Sequence, residues 1–217
     1  MRETKASRHA AEIVRRLRLV YSEAECELDW KNPLQLLVAT ILSAQCTDVR
    51  VNIVTKTLFQ KYRTPEDYLT VPEEELQDDI RTTGFFRNKA KSIRGACQRI
   101  LDEFDGEVPQ TMPELLTLPG VARKTGNVVL GTAFNIAAGV VVDTHITRLS
   151  NRLGLTRETD PVKIERDLMK LLPQEDWIFT GHAIVWHGRR VCYARKPNCG
   201  GCVLQDVCPK RGVKVSR

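Results

Sequence analysis

Four cysteines crowd the C-terminal part of the chain: Cys192, Cys199, Cys202 and Cys208, spaced C-x6-C-x2-C-x5-C. The segment that carries them, CYARKPNCGGCVLQDVCPKRG, holds two prolines and three glycines and shows no helical period. It lacks the apolar surface to offset its own ordering, so something other than a core must shape it. Four thiolates this close make either a metal site or a pair of disulfides. A basic chain without a secretory signal disfavours disulfides. Zinc ribbons bring two C-x2-C knuckles, and here there is one. A [4Fe–4S] cube also takes four thiolates and is larger than a zinc ion. Either metal would act most simply as a folding device. The other cysteines, Cys26, Cys46 and Cys97, lie in or near helical patterns and read as small buried hydrophobes.

A second candidate site is Leu118-Pro119-Gly120-Val121-Ala122-Arg123-Lys124-Thr125, between the helical patterns PELLTL and RKTGNVVLGTAF. Helix, tight Pro-Gly turn and helix together make a helix–hairpin–helix. Backbone N–H groups in such a turn, beside the positive end of the second helix, suit a DNA phosphate. The bare pattern is also a common interhelix turn. Lys124 falls in the first turn of the second helix, where positive charge is disfavoured and the free, nucleophilic amine is favoured. Such a lysine can attack a sugar carbon and form a Schiff base. Most lysines are simply surface residues.

The third is Val140-Val141-Val142-Asp143-Thr144-His145-Ile146-Thr147-Arg148. The apolar run ends at Asp143, after which Ile146, Leu149 and Leu153 resume a helical stripe. Asp143 is then at or near an N-cap and stays ionised. It is either a plain cap or a carboxylate that stabilises a positively charged sugar transition state. His145 is a core or a phosphate-contacting residue.

Helices must position these groups. Asn32-Pro33 opens PLQLLVATILSAQ, and Asp48 is a candidate cap for VRVNIVTKTLFQKY. Thr64-Pro65 and Asp160-Pro161 repeat the signal of a cap followed by proline. Val71-Pro72 precedes EEELQDDI, Asn88 is expected to open KAKSIRGACQRILDEF, and Thr111 to Glu114 reads as a capping box. The β-branched run Val140 to Val142 is too short to make a sheet. The expected class is all-α, with about ten helices.

The 217 residues carry 33 Lys+Arg against 27 Asp+Glu, a net charge of +6. Residues 1–20 contribute +4 and residues 192–217 contribute +5, leaving −3 for the rest. Basic ends hint at a polyanionic partner such as nucleic acid. Hydrophobic residues at 42% and charged residues at 28% exclude a disordered chain. No apolar run approaches the ~18 residues of a membrane helix, and MRETKASRHA has no signal-peptide core.

Taken together, LLVATILSAQCTD (36–48), TTGFFRNKA (82–90), LPGVARKTGNVVL (118–130), VVVDTHITRLSNR (140–152) and the cysteine loop resemble the endonuclease III family of helix–hairpin–helix DNA glycosylases. The resemblance spans roughly residues 8–210. It implies a bifunctional DNA glycosylase and abasic-site lyase of base excision repair acting on oxidised pyrimidines. Lys124 matches the family's Schiff-base nucleophile, Asp143 its catalytic aspartate, and the four cysteines its [4Fe–4S] ligands. The implied fold is a six-helix barrel, here 22–136, and a discontinuous cluster domain, 1–21 with 137–217. Double-stranded DNA with an oxidised pyrimidine or abasic site is the implied partner, bound across the cleft between the domains. The target nucleotide is flipped out of the duplex. Gln45 matches the position that plugs the hole, and Phe85 the position that wedges the stack, where Leu is common. Leu118, Gly120, Val121 and Ala122 match the DNA-contacting hairpin, in which Ala122 replaces a usual Gly. A need for positive φ there would strain Ala by about 1 kcal/mol. His145 and Arg195 complete the expected DNA contacts. The expected protein is monomeric, not membrane-bound, and cytoplasmic, on the nucleoid through DNA.

Three alternatives compete, the first inside the same superfamily and the other two in different classes. A monofunctional adenine glycosylase lacks the hairpin lysine, uses an early-helix glutamate that SAQCTD does not offer, and continues into a further domain, whereas this sequence stops nine residues after Cys208. A non-catalytic DNA-binding homologue would bind duplex with steep salt dependence. A small Fe–S electron carrier needs neither hairpin nor Lys124.

Overall fold

A computed structural model describes residues 4–216 of the chain. Arg2, Glu3 and Arg217, which contribute to the charge of the two ends, lie outside the described residues. The described residues form eleven α-helices and two 3-10 turns, joined by irregular segments, and no strand. The chain divides into two compact units, Glu27–Ile136 and the pair Met1–Cys26 with Ala137–Arg217.

The continuous unit contains α2 (Pro33–Leu42), α3 (Asp48–Lys61), α4 (Pro65–Thr70), α5 (Glu73–Ile80), α6 (Phe86–Glu103), α7 (Met112–Leu115) and α8 (Arg123–Phe134), once α1 (Lys5–Val20) is assigned to the other unit. A 3-10 turn, Arg81–Thr83, links α5 to α6. Helix α2 is buried along nearly its whole length, as its lack of charged residues requires. It packs against α3, α6 and α8. The amphipathic α6 buries Ala90, Ile93, Cys97 and Ile100 and leans on α4 and α5. Burial pushes the Cys97 thiol up to about 12, so it stays neutral. Cys26 and Cys46 are only half-buried, which departs from the expectation for them.

Most caps follow the residue types. Asn32 accepts from the Gln35 amide at 2.9 Å. Thr64 and Asp67 form a reciprocal capping box. Thr111 accepts from the Glu114 amide at 3.4 Å, but its hydroxyl donates to the Glu114 carboxylate, so the reciprocal backbone arm is missing. Two expected starts move. Thr47, not Asp48, caps α3, and Asp48 takes the first helical position, where its charge meets the helix dipole. Helix α6 starts at Phe86 rather than Asn88, after Phe85 adopts a left-handed backbone with φ 48°.

The discontinuous unit contains α1, α9 (Thr144–Arg152), α10 (Pro161–Leu171) and α11 (Trp177–Arg190). Helix α1 lays Ala10, Ile13, Val14 and Leu17 against α10 and α11. Residues 22–26 also belong to this unit, whereas the sequence reading ends its first segment at 21. The reason is local. Tyr21 and Ala24 pack into the unit's core, and the Trp186 indole N–H donates to the Glu25 carbonyl at 3.1 Å.

Candidate functional site

In the continuous unit, the hairpin is a tight turn held against α6. Leu118 and Val121 are buried, and the Val121 amide donates to the Leu118 carbonyl at 3.1 Å. Gly120 has φ +79°, and a Cβ there would lie 2.6 Å from the Ser92 Cβ. Ala122 is the N-cap of α8 with φ −98° and ψ 172°, extended backbone that any residue adopts. The positive-φ requirement therefore falls on Gly120, and Ala in place of Gly at 122 costs nothing. Gly120→Ala should destabilise the protein by about 3 kcal/mol, combining left-handed strain with overpacking. A urea midpoint at the wild-type value would contradict this.

Ala122 offers no side-chain acceptor, so α8 starts without a side-chain cap. The Lys124 and Thr125 amides lie in its first turn, where an α-helix does not itself satisfy the N–H groups, and the turn before them is exposed. Lys124 is the second residue of α8 and is exposed to solvent. Amine and amide donors thus share one helix end, an arrangement suited to a phosphate with a reactive sugar beside it.

Four exposed non-glycine residues of this unit carry left-handed backbone, Asp105 and Asn135 among them. Gln45 has φ 53° and Phe85 has φ 48°. Phe85 is 61% exposed. A large aromatic side chain in a strained conformation and in water marks a position shaped for something other than stability.

In the discontinuous unit, Asp143 is the N-cap of α9 and accepts from the Ile146 amide at 2.8 Å. It is half-buried, which leaves one face of the carboxylate for another task. His145 packs on the neighbouring helix, where a Cβ on Gly188 would lie 2.7 Å from its Nδ1. Arg148 reaches the same ring nitrogen at 3.2 Å and donates to the carbonyls of Gly188 and Cys192, each at 3.1 Å.

The four C-terminal cysteines line one cavity with Arg152, His187 and Leu204. All are free thiols, as are the other three. Among the described residues, no three His, Cys, Asp or Glu side chains converge as a single metal ion demands. Four thiols around one cavity are the donor set that a [4Fe–4S] cluster takes. The surroundings also suit thiolate sulfur. The Leu204 and Lys210 amides donate to Cys202 and Cys208 Sγ at 3.4 and 3.3 Å, and Arg152 donates to Cys192 Sγ at 3.3 Å. Burial pushes the Cys202 and Cys208 thiols up, so ionising them calls for the positive charge of bound iron.

Arg152 and His187 were not singled out in the sequence. Arg152 is buried at the last turn of α9 and also donates to the carbonyls of Tyr193 and Ala194 at 2.7 and 2.8 Å. A cation at a helix C-terminus was the available clue, but the loop it grips lies 40 residues on. His187 bridges the Tyr21 hydroxyl at 3.1 Å and Cys202 Sγ at 3.4 Å. Burial holds its pKa down to about 4, so the ring is neutral. Arg195 stands exposed in the same loop.

Comparison with known proteins follows the same lines. A model for the HhH-GPD superfamily base excision DNA repair protein matches residues 38–174, and one for the iron–sulfur binding domain of endonuclease III matches residues 192–208. An endonuclease III of Synechocystis sp. is 62% identical over 200 residues, 92% of this chain and 91% of that one. A solved non-covalent endonuclease III–DNA complex superposes with TM-score 0.90 at 46% identity, covering 94% of this chain and 95% of that one. A trapped endonuclease III–DNA covalent intermediate gives TM-score 0.89 at 45% identity, covering 94% and 96%. The cysteine loop accordingly holds a [4Fe–4S] cluster, and purified protein should contain about four irons per chain and be yellow-brown; a colourless protein with one zinc would overturn this. The family models, the identity over nine-tenths of the chain and the all-helical structure agree: the chain belongs to the endonuclease III family of the helix–hairpin–helix base excision repair glycosylases.

Proposed function

We propose that this glycosylase and abasic-site lyase acts on oxidised pyrimidines in double-stranded DNA, with Lys124 as nucleophile and Asp143 as its electrostatic partner. The observation that carries the reading is Lys124 itself, an exposed amine on the second residue of a helix that no side chain caps. Its lone pair attacks the deoxyribose C1′. The N-glycosidic bond breaks and the base leaves with the bonding electrons and a proton. The Asp143 carboxylate stabilises the positive charge that develops on the sugar. Ring opening gives a Schiff base, loss of a 2′ proton follows, and the C3′–O bond breaks, cutting the strand on the 3′ side. The [4Fe–4S] cluster, bound by Cys192, Cys199, Cys202 and Cys208, cross-links the C-terminal loop. Arg152 on α9 and the Leu204 and Lys210 amides of the loop orient the thiolates.

Gln45 fills the space left by the flipped nucleotide and Phe85 wedges the stack. Leu118, Gly120, Val121 and Ala122 present the hairpin to a phosphate, and His145 and Arg195 add contacts. The enzyme works as a monomer on the nucleoid in the cytoplasm; no helix among the described residues is long and apolar enough to cross a membrane. Cleavage of thymine glycol duplex, with undamaged duplex as control, tests the substrate class. Binding without cleavage would favour the non-catalytic alternative.

Charge enters through the C-terminal loop more than through α1. Arg15 and Arg16 pair with Glu12 and Asp206, and Arg18 pairs with Asp176. Arg195, Lys196, Lys210 and Arg211 are exposed. Neutralising these four should flatten the dependence of log Kd on log salt by up to ~0.9 for each phosphate that is no longer neutralised. An unchanged slope would remove them from the interface.

A further inference from the structure

Lys89 is the third residue after Phe86 on α6, and it is buried, with 4% of its surface exposed. Its ammonium donates to the Leu42 carbonyl at 2.7 Å and to the Thr83 carbonyl at 2.8 Å. Its own amide donates to the Phe85 carbonyl at 3.1 Å. Leu42 is the last residue of α2, three before Gln45, and Thr83 ends the 3-10 turn two before Phe85. A single side chain thus ties together the roots of the two turns whose tips carry left-handed Gln45 and Phe85.

The tie is costly unless it does something. A buried ammonium near a helix N-terminus, whose two acceptors are main-chain carbonyls rather than a carboxylate, loses hydration without gaining an ion pair. Burial correspondingly lowers its pKa. What it gains is geometry. The Leu42 carbonyl is among those that a helix end leaves unpaired, and a cation there complements the negative end of α2.

We propose that Lys89 is a positioning residue that fixes the Gln45 and Phe85 turns relative to each other, and so matches the pair to a duplex with one nucleotide extruded. This rests on the reading of Gln45 as plug and Phe85 as wedge. Plug and wedge must meet one deformed base step together, so their separation matters more than the strength of either contact. A misplacement of about 1 Å is worth up to ~100-fold in rate.

The test uses the iron-loaded, full-length enzyme and an abasic-site duplex with 2-aminopurine as the opposite base, whose emission reports its stacking. Lys89→Met keeps the length of the side chain and loses the ammonium; Lys89→Gln retains a donor that can reach one carbonyl. Each is expected to cut the amplitude of the emission change on binding by more than half and to slow strand cleavage roughly 10–100-fold. Affinity for undamaged duplex should stay within about twofold of wild type, and Lys89→Arg should recover most of the amplitude. If Lys89→Met does not fold, Lys89→Gln decides alone. Wild-type amplitude in the folded variants overturns the proposal, and so does a reduction matched by an equal drop in undamaged-duplex affinity, which marks a general structural role. Gln45→Ala and Phe85→Ala in the same assay separate the two claims. Should both give wild-type amplitude, the plug-and-wedge reading itself fails. Should they lower it while the Lys89 variants do not, that reading stands and the Lys89 assignment falls.

Discussion

Lys124→Gln is expected to yield folded, DNA-binding protein that forms no borohydride-trapped adduct and cleaves lesion-containing duplex at least about 10³-fold more slowly. The size follows from the role, since removing a nucleophile removes the covalent route and leaves what binding and electrostatics can do unaided. Selectivity of the effect follows from the position. Lys124 is exposed, and substitutions at such surface positions change stability by about 0.5 kcal/mol or less. Gln keeps a similar length and a hydrogen-bond donor but has no basic lone pair. Borohydride reduces an imine and not a neighbouring amide, so trapping reads the bond to Lys124 directly. Adduct formation at the wild-type rate in Lys124→Gln would mean that another amine is the nucleophile.

Asp143→Asn makes a sharper division between two roles for one side chain. Asp143 caps α9 through the Ile146 amide at 2.8 Å. Asn caps as well as Asp, so thermal stability should change by only a few tenths of a kcal/mol. The negative charge is lost, and turnover should fall roughly 10²–10³-fold, the size of effect found when one electrostatic stabiliser is removed. Asp143→Ala should show the same kinetic loss together with about 1 kcal/mol of destabilisation. Full activity in Asp143→Asn would confine the residue to capping.

Much of this was legible because the signals are local. The caps at Asn32, Thr64, Asp143 and Asp160 could be read because an N-cap and the amide it satisfies lie three residues apart. The same short range gave the lysine its place in the first turn of α8, and the cysteine spacing marked its loop as metal-held. Misplaced starts have an equally local cause. Thr47 and Asp48 are both good caps, and the hydroxyl prevailed with the carboxylate one step inside. Phe85 has no capping group at all, so nothing in its type announces that α6 begins beside it. Arg152, His187 and Lys89 were out of reach for a different reason. Each acts on backbone or sulfur brought near by tertiary packing, at sequence separations of 40, 15 and 47 residues. Their residue types predict exposure as readily as burial.

The discontinuous unit has a consequence for how the chain is made. Helix α1 ends at Val20, whereas its covering partners α10 and α11 run from Pro161 to Arg190. At a ribosomal pace of about 5–20 residues per second, α1 emerges on the order of ten seconds before anything can bury its apolar stripe. Ile13 and Leu17, wholly buried in the finished protein, spend that interval without their partners. The continuous unit, encoded without interruption between them, can complete its own core in the same time. Ribosome-bound chains truncated before residue 161 and extended by a flexible linker that clears the exit tunnel should therefore present a protease-resistant Glu27–Ile136 unit attached to a cleavable α1.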